Sequence, residues 1–241
     1  VLTAASLMVA GEAMADAVHR ARRLPALGVG LHVVLVDGRP ILPRPQVSWL
    51  TTPQGRFHDS MLKTALLIAL VPAARAQMRA EVAAQFAAFA ATGLKLDHAN
   101  AHKHFHLHPM IAAAIVKAGR PHGLKAIRAP RVPGGGILAW WAGVLARHWR
   151  REGLTVNDTV SGLAESGRFD SAAMQSALAA LAALPPGLHE LYTHPATGPY
   201  PGSAPGYRYR AELAALTDPA VRTALKASGA VACRFADCSR R

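Results

Sequence analysis

Apolar positions along the chain fall into short continuous runs that alternate with longer stretches of helical period. Leu2 to Val9 is a short apolar run closed by Gly11, and Ala13 to Leu24 follows with helical spacing up to Pro25. Gly28 to Val36 reads as a buried strand ended by the turn Asp37-Gly38-Arg39-Pro40, and a polar, proline-rich loop then runs to about Arg56. A loop of that length is a candidate lid or substrate wall. Helices are predicted over about His58 to Leu70 and Ala74 to Ala91, separated by Pro72 and stopped by Gly93. The pattern continues with a strand at Leu94 to His98, a histidine-rich run, and a helix opened by Pro109. Further strands are predicted at Leu124 to Arg128, Leu154 to Asn157, Gly187 to Thr193 and Ala230 to Phe235. The helices between them are Ile137 to Arg151, Ser171 to Leu184 and Tyr209 to Ala227. Repeated strand-then-helix units predict a mainly parallel sheet, either a β/α barrel or a doubly wound sheet, in one domain over residues 1–241.

On that reading, strand ends collect the polar residues. His32 lies late in one strand, the histidine run follows a second, Arg128 ends a third, Asn157-Asp158 a fourth and His194 a fifth. In β/α folds the carboxyl ends of parallel strands carry the active site. The densest feature is Asp97-His98-Ala99-Asn100-Ala101-His102-Lys103-His104-Phe105-His106-Leu107-His108-Pro109, with five of the twelve histidines. An extended run would put Asn100, His102, His104 and His106 on one face, with Asp97 opposite. A helical run would pair His98 with His102 and His102 with His106. Either arrangement converges imidazoles, which suit a borderline divalent metal such as zinc, whereas a solvated polar loop would leave them apart.

Composition narrows the classes. Hydrophobic residues make up 51% and aromatic ones 6%, as in a helix-rich globular chain. The longest apolar run, Ala65 to Ala74, is broken by Pro72 and is too short to span a bilayer, so a cytoplasmic chain is expected. A net charge of +13 invites a nucleic-acid reading, but the arginines are spread along helices and no aromatic-basic motif accompanies them. A basic surface is also compatible with peripheral contact with an anionic membrane interface or with an acidic partner. Cys233 and Cys238 are expected to be reduced thiols.

Taken in order, Gly30-Leu31-His32, the run from His98 to His106, Ile127-Arg128-Ala129-Pro130 and Leu191-Tyr192-Thr193-His194-Pro195 resemble the YdjC-like carbohydrate deacetylases, relatives of the polysaccharide deacetylases. The stretches Leu2 to Val9, Gly38 to Pro43, Asn157-Asp158 with Gly162-Leu163-Ala164, and Leu184 to Gly187 are similar to the hopanoid-biosynthesis-associated branch. The resemblance implies an incomplete (β/α) barrel and a divalent metal, zinc or magnesium. It implies removal of acetyl from an N-acetylated amino sugar, with a lipid-linked glucosamine in the hopanoid branch. By resemblance His32 and His102 are metal ligands and His194 protonates the departing amine. His104 and His106 are candidates to line the pocket, support it or substitute as ligands, and Arg128 and Asp158 to orient neighbours or sugar hydroxyls or to form structural ion pairs.

The family's opening strand, with its Asp-Asp-Phe-Gly-type motif, and the helix after it have no counterpart here, so a third ligand and a general base are missing from the expected set. That departure implies an N-terminally truncated barrel with an exposed edge and a tendency to self-associate. It also keeps open a relative that binds metal or glycan without hydrolysing it.

Overall fold

Parallel pairing begins in the first apolar run. In this computed structural model, which describes residues 1–132, 135–163, 165–200 and 202–238, β1 (Ala4–Leu7) pairs with β2 (Gly28–Val33), and β2 with β3 (Leu96–Ala101). Ala164 of the motif stretch lies outside the described residues. Past β3 the ladder thins: the strands expected at Leu124–Arg128 and Leu154–Asn157 are single parallel bridges, Ala99 to Ile127 and Ala126 to Thr155. β4 (Thr159–Ser161) and β5 (His189–Leu191) form a second parallel pair. Apart from one antiparallel bridge, Thr51 to Phe57 in the proline-rich loop, these strands and bridges follow one another in chain order and are parallel. Among the described residues no pairing joins β5 to β1, so the expected barrel is not shown closed.

Helices α1 (Met14–Arg22), α2 (Met61–Leu70), α3 (Pro72–Ala91), α4 (Pro109–Gly119) and α5 (Gly136–Arg151) accompany the first sheet. α6 (Ser171–Leu181), α7 (Tyr209–Thr217) and α8 (Pro219–Ala227) accompany the second. The single helix expected over Tyr209–Ala227 is two. Asp218 before Pro219 is held extended, at φ −67° and ψ 125°, and its carboxylate accepts from the Ala220 N–H to start α8. Pro72 acts in the same way at the start of α3, where it occupies the first turn and Val71 is extended.

One apolar cluster joins Leu31, Val34 and Leu35 to Phe86, Ile111, Ile115 and Trp149, and a smaller one unites Phe169, Met174, Leu178, Ala215 and Val221 under α6 to α8. The proline-rich loop is anchored to the larger cluster. Glu81 of α3 accepts the Ile41 and Leu42 N–H groups at 2.9 and 3.0 Å, and Gln85 bonds both the N–H and the C=O of Val34. Burial pushes the Glu81 carboxyl above the usual range against these bonds.

The strand before the histidine run is shifted and irregular. Between the pairs Val29/Leu96 and Leu31/Ala99, Gly30 faces two residues, Asp97 and His98, which makes a β-bulge. The bulge defeats strict alternation: Asp97, expected to point away from His98, instead bonds His98 Nδ1 at 2.8 Å. A Cβ at Gly30 would meet the His98 ring at 2.5 Å, and one at Gly28 would meet the Asp97 carboxylate at 2.7 Å, so both glycines are required for close approach.

The strand expected at Ala230–Phe235 is absent, and a 3-10 turn, Phe235–Asp237, stands at its end. Its Ala236 N–H donates to Asp97 at 2.9 Å, and Phe235 packs on the His98 ring at 4.8 Å. Cys233 and Cys238 bracket the turn as a disulfide, contrary to the reduced thiols expected. The turn brings their Cα atoms to 6.2 Å, within reach of a disulfide, which the sequence spacing alone does not show.

Gly30→Ala is expected to lower stability by about 1–3 kcal/mol, because the ring it would strike is held on both nitrogens. Gly198→Ala, whose added carbon meets only Arg210 at 3.6 Å, should be near neutral. Urea unfolding midpoints of the two variants check the difference.

Candidate active site

The histidine run is neither the extended segment nor the α-helix that its spacing allows. β3 ends at Ala101, and a 3-10 turn over His102–Leu107 reverses the chain through Lys103 and His104 at φ 51° and 55°. Two consecutive left-handed residues without glycine cost about 1 kcal/mol or more each. Two contacts oppose that cost. Lys103 pairs with Asp37 at 2.8 Å, and His106, 0% exposed, accepts the Ala101 N–H on Nδ1 at 3.1 Å and faces the Arg128 carbonyl with Nε2 at 3.0 Å. With both nitrogens committed to backbone groups, His106 brackets the end of β3 to the Arg128 segment and supports the site from behind.

The reversal brings His102 over the end of β2, where its ring meets that of His32 edge-on at 5.6 Å between centroids. Two imidazoles sharing one tetrahedral zinc would have centroids about 5 Å apart, so the pair fits two positions of such a site. No third His, Cys, Asp or Glu completes a set among the described residues. His32 Nδ1 contacts the Asn100 side chain at 2.5 Å, and Asn100 also reaches Ser6 at 2.9 Å.

On the other side of the mouth, β5 and the residues after it present Glu190, Tyr192 and His194. The Arg128 guanidinium is locked on Glu190 through Nε at 2.9 and 3.0 Å and also through Nη2, and it lies over the Tyr192 ring at 4.8 Å. Tyr192 Oη meets His194 Nε2 at 2.5 Å, and buried Glu212 of α7 takes the His194 backbone N–H. His194 Nδ1 and His104 Nδ1 are both buried without a partner, and the His104 ring faces Tyr192 at 5.7 Å. These two nitrogens make no hydrogen bond to another protein group, so both are open to a polar ligand.

Asp158 does not join this group. One carboxylate oxygen pairs with Arg150 at 2.7 Å and the other accepts the Leu188 N–H at 3.0 Å, so it ties β4 to β5. Glu190 and Ser6 join this group without having been singled out from the sequence, and Asn100 and Tyr192 were named there only as parts of motifs. A signal existed for two of them: in an extended segment Glu190, Tyr192 and His194 alternate onto one face.

The electrostatics are those of crowded, dry imidazoles. Burial lowers His32 to about 3, and His102, Arg128 and His104 act in the same direction. His104 is lowered to about 4 by burial and then by Arg128, and His194 to about 4 by burial, Arg128 and His102. Burial and then Lys103 also lower His102. At neutral pH these rings are uncharged and their lone pairs are available. Burial likewise pushes the Tyr192 hydroxyl up to about 12, so it keeps its proton at neutral pH.

These values set a direction for stability. The unfolded chain protonates its histidines near pH 6.5, whereas the folded chain does so only near 3 to 4, so the unfolded state binds more protons between those limits. Stability should therefore fall as pH drops below about 6.5 and level off below about 3, each such ring contributing up to about 1.4 kcal/mol per pH unit. Urea unfolding from pH 7.5 to 4.5 checks the slope, which His104→Ala should make shallower.

Comparison with known proteins shows the family and the fold. The YdjC-like protein family model matches residues 1–227. A carbohydrate deacetylase of Mus musculus is 31% identical over 98% of this chain and 86% of its own length, and one of Homo sapiens is 30% identical over 98% and 82%. A carbohydrate deacetylase of Brevibacillus brevis is 40% identical, but that match spans 48% of this chain and 44% of the relative. The crystal structure of protein EF3048 of Enterococcus faecalis V583 superposes with a TM-score of 0.79 over 98% of this chain and 87% of that one, at 20% identity, which shows the shared α/β fold.

Proposed function

Because this chain belongs to the YdjC-like protein family, we propose that it is a metal-dependent carbohydrate N-deacetylase, which hydrolyses the acetyl amide of an N-acetylated amino sugar. The observation that carries the reading is the convergence of His32 and His102 at one strand mouth with His194, whose Nδ1 is buried and unpartnered. Relatives that align over nearly the whole chain are carbohydrate deacetylases, a hydrolase activity.

An acetamide resists water because its carbonyl is a weak electrophile and its amine a poor leaving group. A divalent ion, zinc or magnesium, held by His32 and His102 would polarise the acyl oxygen and make the attacking water more acidic. His194 supplies the proton transfer. Its ring is uncharged at neutral pH; with the ring hydrogen on Nε2 and donated to Tyr192 Oη, Nδ1 holds the lone pair that takes the proton of the attacking water and then returns it to the amine nitrogen. Tyr192 occupies Nε2 throughout, which leaves Nδ1 as the working atom. Arg128, immobilised by Glu190, keeps the nearby imidazoles neutral and favours negative charge developing on the reacting amide.

The sugar is proposed to be a glucosamine on a hopanoid lipid. Support comes from the resemblance of the Leu2–Val9, Gly38–Pro43 and Leu184–Gly187 stretches to that branch. It also comes from an apolar surface: α2 exposes Leu62, Leu66 and Leu70 one turn apart. No helix among the described residues is by itself long and apolar enough to cross a membrane.

A second reading, a metal- or glycan-binding relative without turnover, is favoured by the lack of a carboxylate beside the two imidazoles among the described residues. Acetate release from di-N-acetylchitobiose by the zinc-loaded chain separates the two. The deacetylase reading expects chelator-sensitive release. His32→Ala and His102→Ala should abolish both release and zinc binding, whereas His194→Ala should lose about 10²–10⁴-fold in rate and keep zinc affinity. Zinc binding without acetate release from any amino sugar would favour the second reading.

A further inference from the structure

Two exposed apolar faces flank the turn that carries His102 and His104. α2 buries Thr64 and Ile68 along one stripe and turns Leu62, Leu66 and Leu70 outward on the opposite one, each at least half exposed. A helix that is apolar on both faces is ordinarily covered on both. The first turns of α5 expose Ile137, Leu138 and Trp140 to a similar degree. Single exposed leucines need no explanation on a protein surface, but rows of them mark a contact.

Both faces are tied to the same turn. Trp141 of α5 donates its indole N–H to the Leu107 carbonyl at 2.8 Å. Just before α2 starts, the His58 carbonyl accepts the Asp37 N–H, and the Asp37 carboxylate pairs with Lys103. A helix that follows a parallel strand starts at the carboxyl end of the sheet, so α2 and α5 begin on the rim where His32 and His102 stand. α2 is bent by 111° from α3, whose Met78, Val82 and Phe86 are fully buried. α3 therefore belongs to the core, and α2 lies on the surface rather than prolonging it.

Cations accompany these faces with no acid in the same segments. Residues 60–80 and 98–151 contain no Asp or Glu. Lys63 is exposed between Leu62 and Leu66. A Cβ at Gly143 would stand 3.8 Å from Arg147 Nη1 and 3.9 Å from Arg131 Nε, so two exposed arginines converge over Gly143, one turn beyond Trp140. No ion pair among the described residues takes either guanidinium. Two like charges held this close repel until an anion lies between them.

We propose that this rim docks on an anionic phospholipid bilayer, with the α2 leucines and the start of α5 in the interface and Arg131 and Arg147 on a lipid phosphate. A bilayer supplies both kinds of partner at once. Its acyl boundary takes the leucines and Ile137, and its headgroup level suits Trp140, which has an apolar body and one N–H donor. The phosphodiester offers oxygens to the two guanidiniums and to Lys63. A second copy fits less well, because a two-fold pairing through this face would set Arg131 and Arg147 against their own counterparts. The surface stands on exposure and charge, independently of the deacetylase reading.

Flotation of the full chain with phosphatidylcholine vesicles, with and without phosphatidylglycerol, tests the docking without metal or substrate. The expected result is binding to the phosphatidylglycerol vesicles that weakens with added salt, and much weaker binding to phosphatidylcholine alone. The double variants Leu62→Ser/Leu66→Ser and Arg131→Gln/Arg147→Gln should each lower partitioning about tenfold or more. Lys117→Gln, in the last turn of α4 at the other end of the sheet, should change it little. All three replace exposed side chains and should keep the wild-type urea midpoint. Wild type that stays off both vesicles, or double variants that bind as it does, overturns the proposal. A wild-type dimer that ignores vesicles and is split by the serine variant overturns it in favour of a second copy. Acetate release from soluble di-N-acetylchitobiose should be unchanged in all three variants, so failure of the surface and failure of the deacetylase reading are distinguishable.

Discussion

His106 makes no contact with any reacting group, yet the mouth of this fold depends on it. Its two ring nitrogens join the Ala101 N–H at the end of β3 to the carbonyl of Arg128 on the neighbouring segment. That bracket offsets two left-handed residues and turns the chain so that His102 and His104 face inward. It also fixes the backbone of Arg128, whose guanidinium sets the charge of the site. Replacing a ring with two opposed hydrogen-bonding atoms by any other side chain would leave one buried backbone group unpaired.

Charge within the site is arranged by exclusion. A single guanidinium, neutralised at one edge by Glu190, sits among imidazoles that burial already keeps uncharged. The result is a pocket rich in lone pairs and poor in protons, the condition under which the proposed deacetylase reading has His194 accept a proton before it donates one. A charged histidine at the outset would have acted as an acid only. The two sides of the mouth are built from different cores. His32 and His102 stand on the larger apolar cluster, whereas His194 is carried by a short pair of strands and pinned by Glu212 of the smaller one.

Much of the secondary structure was legible because period and punctuation agree: Pro72, Pro109 and Gly93 mark helix ends where the alternation also changes. The departures share a cause. Tyr209–Ala227 has a continuous helical period, but one proline outweighs it. Leu124–Arg128 and Leu154–Asn157 have strand composition, but too little regular pairing to form strands beyond single bridges. The stretch Ala230–Phe235 has apolar alternation without a neighbour to pair with, and its disulfide-closed turn serves instead to cover Asp97 and His98.

By itself the sequence determined the parallel strand-then-helix order, the strand ends that carry polar residues and the crowding of imidazoles after β3, because periodicity and spacing are local properties of the chain. It also carried the family resemblance, which lies in short motifs in a fixed order. What only the tertiary structure decided is which imidazoles meet. A bulge at Asp97–His98 and a reversal at Lys103–His104 each change the side-chain direction that strict alternation would give. His98 and His106 are thereby diverted into the framework, and His32, His102 and His194 are left at the mouth. Those two irregularities are held by partners 22 to 139 residues away, such as Arg128 and Ala236, and no local period can encode them.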